Sequence, residues 1–172
     1  MDYADDSERK PGVIITHPNR DKHVVQATRA TVIALLLVSA GLVLIVTVGG
    51  WSVLEGAVPL QIAYILVYIT MAVLAARWNR GVLPVAAALA VLLAIFAAVA
   101  APSWFHRSKL GFEQPSISAE LLGLITIVIA IVQLLLVAFA MRGFNQGWNV
   151  ELERRDPAAA AEHYPEPPPY PA

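Results

Sequence analysis

Few polar side chains occur in the apolar parts of this chain, and their spacing gives the first indication of chemistry. Gln61, Tyr64, Tyr68 and Met71 are separated by three, four and three residues. A helix stacks such residues on one face. Thr126 and Gln133 stand seven apart and share a face of another apolar segment. Amides and phenols brought together across two helices can form a polar cleft for the headgroup of a lipid, a quinone or an isoprenoid. The candidate cleft residues are Gln61, Tyr64, Tyr68 and Gln133. The competing use is hydrogen bonding between helices, where each pair in lipid contributes about 0.6 kcal/mol on average. Interhelical bonding is the expected role.

Other reactive constellations are sparse. There is no cysteine, so disulfides and thiolate chemistry are excluded. His106 lies beside Trp104, Phe105, Arg107 and Lys109. Metal sites need several convergent ligands, and the loop holds one histidine, so an interfacial role for its aromatics and cations is expected. No catalytic residue, cofactor or metal is expected. The formal net charge of −1 gives no electrostatic case for nucleic acid.

Two further patterns point to contacts with other chains. Ala86, Ala90, Ala94 and Ala98 recur every fourth residue, with Ala87, Ala97 and Ala101 nearby. Small residues let helix backbones approach closely in lipid, so these four are candidate packing positions, within the bundle or against a partner. Farther on, Trp148, Val150 and Leu152 alternate with Asn149, Glu151 and Glu153. Period two is a strand pattern. Such a strand can pair with residues 13–16 or accept a strand from another protein; the segment reads equally as a solvated juxtamembrane linker with Trp148 as an interface anchor. Phe144, Trp148, Val150 and Leu152 are the candidate partner-binding residues. The terminal Pro167-Pro168-Pro169-Tyr170 has the form bound by WW domains, but a Pro-rich tail yields that form readily, and a flexible end is expected.

The elements that position these residues follow from four stretches without Asp, Glu, Lys, Arg or His: residues 30–54, 56–76, 81–105 and 121–141. Roughly 20 apolar residues in a helix cross a hydrocarbon core of about 30 Å. Hydrophobic residues form 58% of the chain, above the usual share of about 45–50% for soluble domains, and mean hydropathy is +0.62. The expected fold is an all-α integral membrane protein, a bundle of four transmembrane helices with short loops and disordered tails. Expected spans are 30–52, 57–76, 82–103 and 119–141, inside a membrane domain of residues 21–142. A polar tail of residues 1–20 precedes it. A juxtamembrane segment of residues 143–156 and an Ala/Pro-rich tail of residues 157–172 follow. The start is acidic and polar, so the first apolar run reads as an uncleaved span rather than a signal peptide.

Basic residues set the expected orientation. Arg20, Lys22 and Arg29 precede the first span, Arg77 and Arg80 lie between the second and third, and Arg142, Arg154 and Arg155 follow the fourth. The opposite side has Arg107 and Lys109. The positive-inside rule then places both termini in the cytoplasm of a cell membrane; an Ala-rich, short-looped chain suggests a bacterial one. The expected function is a non-enzymatic accessory or scaffold subunit of a larger membrane complex. Its expected partners are lipids and either other membrane proteins or further copies. The alternative is a small lipid- or quinone-binding membrane enzyme or a transporter subunit. Transporters usually place ionisable groups or broken helices near the midplane, and the spans offer neither.

Overall fold

The computed structural model describes residues 13–16, 19–109, 111–112, 114–148 and 152–155. They form two compact units. Residues 19–149 are one, and the two terminal segments, residues 1–18 and 150–172, are the other.

Within the first unit, four helices are long and apolar enough to cross a membrane. They are α1 (His23–Gly49), α3 (Val58–Ala76), α4 (Val82–Arg107) and α5 (Ala119–Asn145); a short helix, α2 (Trp51–Leu54), and a 3-10 turn, Glu55–Ala57, join α1 to α3. The helices outrun the expected spans at several ends. α1 starts at His23 and continues the ladder from Lys22, whose carbonyl accepts from the N–H groups of Val25 and Gln26. Asn19, just before α1, donates its amide to the carbonyls of Gly147 (3.1 Å) and Gln146 (3.4 Å). α4 runs through Pro102 to Arg107. A proline in a membrane helix is tolerated when its neighbours re-satisfy the freed backbone groups. Ser118 precedes α5 and makes no side-chain cap bond.

The helices do not pack as a closed square. α4 and α5 share the most extensive contact, α1 packs on both α3 and α5, and α3 meets α4 at only a few points. The order is therefore α3–α1–α5–α4, an arc with a gap between its ends. The α4–α5 seam shows how close approach works. A Cβ on Gly123 would lie 3.0 Å from the Phe105 ring and 3.2 Å from Trp104. A larger residue would require that ring to shift by a few tenths of an ångström.

The alanine stripe is half used. Ala86 and Ala90 are fully buried, Ala94 is half-buried and Ala98 is exposed. The buried seam continues instead through Leu93, Ala97, Ala101 and Trp104. The reason is geometric. Each four-residue step advances a 3.6-residue helix by about 40° beyond a full turn, so Ala98 has rotated by about 120° from Ala86.

The second unit departs from an all-α fold. Val13–Thr16 (β1) and Leu152–Arg155 (β2) form an antiparallel two-stranded ribbon in which Val13 faces Arg155 and Thr16 faces Leu152. The anticipated pairing with residues 13–16 occurs, but four residues later than the alternation begins. The remaining tail residues, for which disorder was expected, lie outside the described residues.

Candidate functional site

Three helices meet at mid-span in one hydrogen-bonded relay. The Tyr68 hydroxyl of α3 donates to Gln133 Oε1 of α5 at 2.8 Å. Gln133 Nε2 donates to Ser39 Oγ of α1 at 3.0 Å and to its own-helix carbonyl, Ile129 O, at 3.3 Å. Ser39 in turn donates to Leu35 O at 2.7 Å. Tyr68, Gln133 and Ser39 are all fully buried. Every donor has an acceptor, and among the described residues no buried side-chain polar atom lacks a partner. The relay fixes the α3–α1–α5 part of the arc and leaves no group over for a ligand.

The sequence grouping of four cleft residues therefore divides. Tyr68 and Gln133 belong to the relay. Gln61 and Tyr64, two turns and one turn nearer the start of α3 than Tyr68, line a cavity of about 620 Å³ between α3 and α4. Thr47 Oγ1 sits 2.7 Å from both Val43 O and Gln61 Oε1, sharing one proton between them. Tyr64 packs edge-on against Tyr68 and Phe96, with ring centroids 5.8 and 6.4 Å apart. The other polar lining residues are Ser103, Thr126 and Arg107, and the rest are apolar. The cavity is the gap in the arc. α3 and α4 are joined through residues 77–81 and diverge from that loop, so it opens sideways.

The opposite end of the bundle is closed by an arginine–tryptophan cluster. Trp78 has φ +62°, the left-handed region that ordinarily selects glycine. Its N–H bonds Ala75 O, and the next N–H, of Asn79, bonds Leu74 O, each at 3.1 Å. This pair of bonds is the usual helix stop, with tryptophan where glycine normally stands. Packing holds the conformation. The Trp78 ring meets Trp148 edge-on at 5.8 Å. The Arg29 guanidinium lies 4.1 Å from the Trp78 centroid and donates to the terminal carbonyls Ala75 O and Ala76 O. Arg20 lies 5.5 Å from the same ring. Arg80 caps α5 in the same manner, donating to Phe144 O at 2.8 Å with its guanidinium 4.3 Å from the Phe144 ring. Cations at helix C-termini complement the exposed carbonyls and the helix dipole.

This cluster relocates the partner-binding residues. Trp148, expected on a docking strand, is fully buried. Its indole donates to Gln146 Oε1 at 3.3 Å, and its ring fills the space beside Gly143, where a Cβ would lie 2.9 Å away. Phe144 is half-buried under Arg80. Leu152 lies in β2, and Val150 is outside the described residues. The alternation pattern missed the break at Gly147, whose φ of +59° turns the chain.

Ser39 and Trp78 escaped the sequence reading, and Arg29 entered it only as a charge that sets orientation. A serine in an apolar helix can satisfy itself on its own backbone, so Ser39 carries no distinctive signal. The weak clue was that Thr28 and Ser39, eleven residues apart, fall on one face of α1. Comparison with protein-family models, with curated proteins and with solved structures finds no match.

Proposed function

We propose that the chain is a non-enzymatic multi-pass protein of a cell membrane, with both termini cytoplasmic, acting as an accessory or scaffold subunit of a larger membrane complex. The observation that carries this reading is the relay. The deeply buried polar side chains of three spans are spent on one another, in helices whose apolar stretches carry no ionisable group. Such a bundle is built to hold shape rather than to move protons or bind ions at mid-membrane. The terminal ribbon supports the partner role. Two strands alone are marginal in water, and a third strand supplied by another protein would complete the sheet by edge addition.

The test has two parts. Cysteines at the exposed positions Ser52 and Ser108 should react with an impermeant thiol reagent on intact cells, while one at Asn79 should not; labelling at Asn79 alone reverses the orientation. Affinity purification in mild detergent should then recover a stoichiometric partner. Glu153→Pro with Arg155→Pro, which removes two ribbon N–H donors, should lower that recovery without affecting membrane insertion. Purification of the chain alone from cells at native expression refutes the accessory role.

A further inference from the structure

We propose that the cleft between α3 and α4 binds one anionic phospholipid from the bilayer, with its acyl chain along the apolar walls and its phosphate at Arg107. Three observations support this occupant. The first is depth. The α4 wall runs from Leu93 to Arg107, about 21 Å at the helical rise. The deepest α5 residue, Ile129, is ten residues from the helix start, or about 15 Å. Those lengths match one leaflet of a hydrocarbon core about 30 Å thick. A partner helix would need a groove along both leaflets.

The second observation is chemistry. The cavity of about 620 Å³ is within the usual range for small-molecule sites, roughly 300–1,000 Å³. Its walls are aliphatic and aromatic, and among the described residues its lining has one cation, Arg107, and no carboxylate. Arg107 is the last residue of α4, at headgroup depth, with Ser103 one turn deeper on the same side. A guanidinium there matches a phosphate in charge and in fork geometry. The third observation is access. α3 and α4 barely meet, so a lipid enters sideways without leaving the membrane.

The full chain, reconstituted in vesicles of equal phosphatidylglycerol and phosphatidylcholine and extracted in mild detergent, tests this by native mass spectrometry. One lipid should be retained, with phosphatidylglycerol preferred. Arg107→Gln should keep a lipid but reduce the preference about fivefold, the factor one basic residue contributes near an anionic surface. Ala100→Phe, which places a ring in the cleft, should abolish retention of both lipids. If that variant fails to fold, a photoreactive residue at Leu60, a wall position, should label lipid in the otherwise unaltered chain. Equal retention in all three proteins, a preference that survives Arg107→Gln, or labelling of protein instead of lipid overturns the proposal. It requires the membrane setting but not the accessory role, so failure to find a partner leaves the lipid result standing.

Discussion

The relay makes a prediction in which the double variant is more stable than either of its parents. Tyr68→Phe removes the phenol that donates to Gln133 Oε1 at 2.8 Å and leaves that oxygen buried without its donor. A buried group deprived of its partner costs about 1–3 kcal/mol; interhelical bonds in lipid reach only about 1.7 kcal/mol, so about 1–1.5 kcal/mol is expected. Gln133→Leu removes two interhelical bonds, to Tyr68 and Ser39. Ser39 keeps its own acceptor, Leu35 O, so the main loss is the orphaned Tyr68 hydroxyl, and about 1.5–2 kcal/mol is expected. The double variant exchanges both partners for apolar groups of similar shape, which is nearly neutral, so it should lose less than about 1 kcal/mol. Reversible unfolding in mixed micelles, followed by circular dichroism, gives all four stabilities and hence the coupling. Additive losses, within about 0.5 kcal/mol, would refute the claim that these two side chains act as a pair.

The left-handed residue at the loop gives a second prediction. Trp78→Ala loses the ring contacts and keeps the strained φ of +62°, whereas Trp78→Gly loses the ring and relieves the strain. Glycine should therefore be the milder change by about 1 kcal/mol in thermal unfolding of the purified chain. Alanine proving the milder change would mean that the loop does not hold that conformation. On α4, Ala90→Leu should destabilise by about 1–3 kcal/mol through overpacking of a fully buried position. Ala98→Leu, at an exposed position, should be neutral within about 0.5 kcal/mol. Equal melting temperatures for the two would remove the seam described for α4 and α5.

The sequence by itself determined what is local. Four helices long enough to span, the turn at residues 77–81 and the shared face of Tyr64 and Tyr68 follow from run length, breakers and the 3.6-residue period. Lipid offers the backbone no hydrogen bonds, so an apolar run of that length has essentially one solution. The pairing of residues 13–16 with the segment after the fourth span was legible only in part, since the strand Leu152–Arg155 shares just Leu152 and Glu153 with the alternating run. What required tertiary structure was neighbourhood. A short loop implies that α3 and α4 are neighbours along their length, yet they diverge into a cleft because α1 holds α3 through Ser39, Gln133 and Tyr68. The alanine repeat marked α4 as a packing helix, but the choice of Ala97 and Ala101 over Ala98 belongs to helix rotation against α5. Trp148 fits an exposed strand as well as a buried plug by type and spacing. Only the space beside Gly143, and the Trp78 ring turned toward it, decide that it is buried. Periodicity reports which face of a segment is distinct; the complementary surface that covers that face comes from residues distant in the chain, and packing in three dimensions selects it.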